Sequence, residues 1–393
     1  MRRINKKIAT LQMGLSVPDT VTERAEEAFR KIQEGNTTPK TAKKKNIRYK
    51  YSNKRAWAAI FAILVMSTAT VSASTFIKWS QSLEKGLFIN KTQKTSLENS
   101  NAVSNPNLSV TDHGVTITAQ QCIVDKYSAI LTFKIKGYEL PDDRIPMFAV
   151  VDIQFDGKHG FNGSHSFYSR VLANQEKGCF MYDDGTPIGR NEEVNTKDQY
   201  IMDDGSLEYR IECYGDFRGR LFHAELTGLG NLDKKDNKEF DVPGTWTFDW
   251  TLEGTDASEI LTLNEPLGDT GIIVSTVEFS PISIHVTYSL PDKLLKKSFA
   301  DKASESEYMY EVVWEKTPEL SAVHTKSGEL IFTPFQGTGS FTDSGKIDKI
   351  SQTPRIMEAG EIDALWFCKD GFFAKNLYEA YDEDDFYIIP ISQ

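Results

Sequence analysis

The sequence predicts a mainly β protein: tandem antiparallel β-sandwiches of the immunoglobulin-like kind outside the membrane, carried by one transmembrane helix and preceded by one short cytoplasmic helix. Three observations lead there. Charge is divided unevenly, since residues 1–55 hold 15 Lys/Arg against 5 Asp/Glu and leave 30 basic and 51 acidic residues for the remainder. A stretch of 22 residues without a charge, Ala56 to Ile77, separates the two parts. From about residue 108 onward, apolar residues recur at every second position, the period of a strand. A chain of 393 residues is also too long for a single ordinary core.

The first element is a helix over residues 20–34. Pro18, Thr20 and Glu23 form its start in capping-box spacing, and Gly35 ends it. Val21, Ala25, Phe29 and Ile32 share one face, while Glu23, Glu26, Glu27 and Glu34 stand with Arg24, Arg30 and Lys31 around the rest. Fifteen residues are marginal as an isolated helix in water. The apolar face therefore needs a partner, and the acidic remainder suits a protein groove better than anionic lipid. Val21, Ala25, Phe29 and Ile32 are the candidate partner-binding residues, with Phe29 as anchor. Residues 36–55 complete this cytoplasmic segment as a solvated basic linker.

Residues 56–77 follow as the span. At about 1.5 Å per residue they reach roughly 33 Å, enough to cross a hydrocarbon core of about 30 Å. Trp57 and Trp79 sit near the two interfaces. Eight Lys/Arg between Lys40 and Arg55, with no acidic residue among them, keep the N-terminus in the cytoplasm by the positive-inside rule. Val71-Ser72-Ala73 has the look of a signal-peptide cleavage site, but a basic leader of 55 residues is far too long for one. Ala58 with Ala62, and Ala69 with Ala73, would let two spans approach closely.

Residues 78–107, rich in Asn and Ser towards their end, read as a stalk linker. The first sandwich is expected over 108–258. Val115, Ile117 and Ala119 form one strand face, a turn near Asp125 follows, and Ala129, Leu131, Phe133 and Ile135 form the next. Further strands are expected at 148–155, 167–172, 209–213 and 221–226. The last, Trp246 to Leu252, buries Trp246, Phe248, Trp250 and Leu252. A second β-domain over 259–393 opens with Asp269-Thr270-Gly271 much as the first opened with Asp112-His113-Gly114, a weak internal repeat. Ile282, Ile284, Val286, Tyr288 and Leu290 give its alternating face, and Phe386 to Pro390 its closing strand.

The sequence offers no catalytic, cofactor-binding or metal-binding set. GxSxG, HExxH and phosphate-binding glycine loops are missing, and the six His at 113, 159, 165, 223, 285 and 324 are scattered. Cys122, Cys179, Cys213 and Cys368 form no CxxC pair, and both disulfides and buried thiols fit them. Asp183-Asp184 and Asp203-Asp204 read as solvated turns, and the basic run before the span as topology rather than direct nucleic-acid binding.

Ser16 to Val21 opening a helix, the span, Val110 to Ile117 and Gly244 to Phe248 together resemble a Gram-positive single-pass family, the one carrying domain of unknown function 4179. The resemblance covers roughly residues 16–253, and the rest is similar to the β-domain that often follows. It implies an anti-sigma-factor-like membrane regulator whose cytoplasmic partner is an extracytoplasmic-function sigma factor and whose outer part binds an unknown envelope ligand. It implies no catalytic residue. The rival reading is a cell-envelope structural or adhesion module without enzymatic activity.

Overall fold

Alternation of apolar and polar residues produces strands, and in the computed structural model twenty-two of them are found among the described residues. It describes residues 78–391 apart from 175–178, 191, 296–301, 311–316, 334–336, 342–345, 354 and 370–380. The helix at 20–34, with Val21, Ala25, Phe29 and Ile32, and the span Ala56 to Ile77 lie outside the described residues. Among the described residues, no helix is long and apolar enough to cross a membrane.

In chain order the first half contains β1 (Val103–Ser104), β2 (Leu108–Asp112), β3 (Val115–Val124), β4 (Ser128–Lys136), β5 (Ile145–Phe155), β6 (Lys158–His159), β7 (Gly163–Phe167), β8 (Val171–Asn174), β9 (Cys179–Tyr182), β10 (Pro187–Ile188), β11 (Leu207–Tyr214), β12 (Leu221–Leu232) and β13 (Lys238–Thr251). The second half contains β14 (Glu259–Pro266), β15 (Ile273–Phe279), β16 (Ser283–Ser289), β17 (Glu319–Thr325), β18 (Leu330–Phe332), β19 (Gly337–Phe341), β20 (Lys346–Gln352), β21 (Ile362–Cys368) and β22 (Phe386–Pro390). Every pairing among them is antiparallel.

One sheet of the first half runs β1-β3-β4-β11-β7 with β2 also on β3, and the other runs β13-β12-β5-β6. Their facing residues share a core. Phe133 lies edge-on to Phe248 at 5.2 Å, and Phe148 does the same to Tyr209 at 5.1 Å. Strands β8, β9 and β10 form a small separate sheet inserted between β7 and β11. In the second half, β14-β15-β16-β20-β19 faces β18-β17-β21-β22 over Val277, Val286, Tyr288, Ile347, Leu365 and Phe367. His113 and Gly114, at φ +48° and +80°, make the tight two-residue turn of the β2–β3 hairpin. The matching triplet Asp269-Thr270-Gly271 lies in the longer β14–β15 connection, closed by Leu267 N–H to Ile272 O at 2.9 Å.

Two expectations change. Residues 78–107 are not a stalk. They form a turn of helix, Gln81–Glu84, a second helix, Lys91–Asn99, and strand β1, with Leu83, Leu87, Ile89, Leu97 and Ala102 buried. Asn90 accepts from Gln93 N–H while the Gln93 side chain accepts from Asn90 N–H, a capping box that starts the second helix. These buried residues join Ile123 and Ile130 of the first half and Ile282 and Ile356 of the second in a third core. All of this belongs to one compact unit, Phe76–Gln393.

The second change concerns the face read over Trp246 to Leu252. Trp246, Phe248 and Leu252 are buried, but Trp250 is half-buried, its ring 4.5 Å from Phe222. Trp246 closes the core and donates its Nε1–H to Val115 O at 3.1 Å. Trp246→Ala is therefore expected to remove about 3 to 5 kcal/mol of stability in urea unfolding, as large aromatic truncations do. Thr247→Ala, on the exposed face, should change little. Equal losses would mean that β13 is not half-buried.

Candidate functional site

Ser80, Gln81 and Ser82 stand three to five residues beyond Ile77 in the sequence, and a buried carboxylate holds them. Glu208 lies on β11, on the face of its sheet that points away from the first core. It accepts from Ser80 Oγ at 2.9 Å, Gln81 N–H at 3.1 Å and Ser82 N–H at 2.8 Å. Ser80 N–H donates to Gln121 Oε1 at 3.0 Å, so the first backbone group of the segment is also fixed. Ser80 caps the helical turn through Leu83 N–H. Buried polar groups must be paired, and here two backbone donors that the helix start leaves open, together with the Ser80 hydroxyl, meet one carboxylate.

The inserted sheet and the loop after it complete the grip. Gln81 Nε2 donates to Asp183 at 2.8 Å, and its Oε1 accepts from Asp203 N–H at 3.0 Å. Arg170 bridges both acids, at 3.2 Å to Asp183 and 3.1 Å to Asp203, and Lys85 reaches Asp203 at 2.6 Å. The Asp183 side chain is fully buried, so the reading of Asp183-Asp184 as a solvated turn holds only for Asp184. Asp203 and Asp204 are both ion-paired, the latter to Lys134. Burial pushes the Tyr168 hydroxyl beside Asp183 upward.

A second buried carboxylate joins the two halves. Asp125, in the β3–β4 turn, accepts from Tyr127 N–H and Ser128 N–H at 2.8 Å each, then from Ile282 N–H at 3.1 Å and Ser283 Oγ at 2.9 Å in the β15–β16 turn. Burial pushes its carboxyl above the usual range even so. Beside it, Glu278 receives Lys126 at 3.0 Å, Ser258 at 2.5 Å and the Tyr127 hydroxyl. Against desolvation, these hydrogen bonds hold Glu278 below the usual carboxylate range. His285 lies between Glu278 and Asp348, its ring 4.5 Å from that of Tyr127.

The remaining histidines are tied individually, His113 to Asp112, His159 to Asp152, His165 to Tyr209, His223 to Asp249 and His324 to Asp363. Among the described residues, no group of three or more His, Cys, Asp or Glu is placed to hold a metal ion. Cys122 and Cys213 are buried thiols, and burial pushes both upward. Sequence reading missed Glu208, Asp125 and the Ser80 to Ser82 segment. The signals were the Asn90–Gln93 capping box and the Leu83, Leu87 spacing, both masked by the polar composition around them.

Two outcomes are expected. Glu208→Ala removes the shared acceptor of Ser80 Oγ, Gln81 N–H and Ser82 N–H and should lower stability in urea by about 1 to 3 kcal/mol, with faster proteolysis at residues 78–89. Unchanged proteolysis there would contradict the clamp. Against desolvation, Lys134 and Ser206 hold Asp204 at about 2. A depressed carboxyl stabilises the fold above its unfolded value and loses that contribution as pH falls towards 2. Asp204→Asn should flatten the stability profile between about pH 4 and 2, and an unaltered acid limb would show that the pair contributes nothing.

Among known proteins, no curated protein matches the chain. One similar solved structure is "The crystal structure of the conserved domain protein from Bacillus anthracis", 17% identical over 69% of this chain and 78% of that one, with a TM-score of 0.38. A family model described as a domain of unknown function, DUF4179, matches residues 43–137. That window runs from the basic segment through β4 and takes in the Ser80 to Ala102 segment, Gln121 and Asp125. Residues 43–137 thus match the domain of unknown function 4179.

Proposed function

We propose that this protein is a single-pass membrane signalling protein of the anti-sigma-factor-like kind, cytoplasmic at its N-terminus, with tandem immunoglobulin-like sandwiches outside the cell. The helix bearing Val21, Ala25, Phe29 and Ile32 holds an extracytoplasmic-function sigma factor. The outer part binds an envelope component. One observation favours signalling over a structural or adhesive tether: Ser80, three residues beyond the proposed span, is fixed at its backbone by Gln121 and at its side chain by Glu208. A tether gains from slack next to the membrane. A sensor needs the opposite, because a shift of the outer sheets reaches the span only through a stiff connection.

Phe29→Ala or Ile32→Glu in the full-length chain should abolish co-purification of the sigma factor and leave membrane insertion unchanged. Deletion of residues 1–35 should remove the regulatory phenotype. Retention of the sigma factor by both point variants would refute the regulator and leave the envelope module.

A further inference from the structure

Eight non-glycine residues among those described adopt the left-handed backbone region, and seven of them are Asn, Asp or His, the types that tolerate it. The eighth is Phe88, at φ +50°. It closes the turn of helix Gln81–Glu84, where Phe88 N–H reaches Lys85 O at 3.2 Å and Ile89 N–H reaches Glu84 O at 2.8 Å. Glycine is the residue that position favours, and a bulky aromatic there is strained. The side chain gains no core in return: Leu87 and Ile89 on either side are buried, while Phe88 is 43% exposed. A strained aromatic held out to solvent is a reason to look for a ligand.

Phe88 borders a groove of about 460 Å³ between the helical segment and the second β half, within the size range of ligand sites. Asn90, Thr325, Ser327, Arg355 and Glu361 line the rest. The rim is rich in amide and hydroxyl groups. It is poor in available positive charge: both terminal nitrogens of Arg355 go to Glu329 at 2.8 Å, and Lys326 Nζ donates to Gly360 O at 2.8 Å. An anionic headgroup or phosphate would want those cations uncommitted. An acyl chain would want an enclosed apolar wall, and the groove offers one exposed ring. A saccharide ring suits both features, since its C–H face stacks on an aromatic and its hydroxyls pair with amides, hydroxyls and a carboxylate.

We propose that this groove binds a saccharide chain, with one sugar ring stacked on Phe88 and its hydroxyls on Asn90, Ser327 and Glu361. The assignment uses the groove alone and does not depend on the signalling reading. The test is calorimetric titration of the detergent-solubilised full-length protein with the tetramer of N-acetylglucosamine, and separately with dihexanoyl-phosphatidylglycerol below its micellar concentration. Saturable binding of the saccharide is expected, at least tenfold weaker in Phe88→Gly. That variant should keep its Tm within about 2 °C of the parent or above it, because glycine relieves the left-handed position. Loss of affinity without loss of stability is the signature that a purely structural phenylalanine would not give. Should Phe88→Gly fail to fold, Phe88→Trp keeps a stacking ring and should bind with a change in tryptophan fluorescence. Absence of saccharide binding, binding that Phe88→Gly leaves intact, or Phe88-dependent binding of the lipid alone would each overturn the proposal.

Discussion

The sheet β1-β3-β4-β11-β7 has two faces to bury, and only one of them meets another sheet. Along β3 and β4 almost every residue from Val115 to Phe133 is withdrawn from water, not every second one. Inward residues such as Ile117 and Phe133 face β12 and β13, but Ile123 and Ile130 point the other way and need a separate cover. Leu83, Leu87, Ile89 and Leu97 supply it. Burying an aliphatic side chain contributes about 1.5 to 3 kcal/mol, so each of the four favours keeping the segment on the sheet.

Covering a sheet with helix ends brings polar groups inside, and the two buried carboxylates answer that need. Glu208 takes the open donors at the start of the helical turn, and Asp125 takes those of two hairpin tips at once. Each would be costly alone in an apolar surrounding, and each is surrounded by donors. The third core, Glu208 and Asp125 therefore join the segment beyond the proposed span, the first β half and the second. Ile282 shows the economy of the joint: its side chain enters the third core while its N–H bonds Asp125.

Much of the β architecture is legible in the sequence. Trp246 with Phe248, and Ile282 through Leu290, alternate cleanly because one face of each strand meets a core and the other meets solvent or a polar joint. Where both faces are buried, alternation fails, and β3 gives no hint of what covers its second face. The stalk reading of residues 78–107 fails for the same reason. Its composition is that of a linker, but Leu83, Leu87, Ile89 and Leu97 are few, spaced and sufficient. Glu208 looks like any strand glutamate, since the donors that give it a role come from residues 126 to 128 positions away. The span and the cytoplasmic helix remain expectations from charge and periodicity.

Residues 80–102 are a structural keystone, not a leash. Amide hydrogen exchange on the full-length protein in a lipid nanodisc tests it most directly, because local opening reports each segment's own stability. In a keystone, the amides of Leu83 to Ile89 and Lys94 to Ala102 exchange only with those of β3 and β4, in one cooperative opening. Exchange of these amides within seconds, while β3 and β4 stay protected, would contradict it.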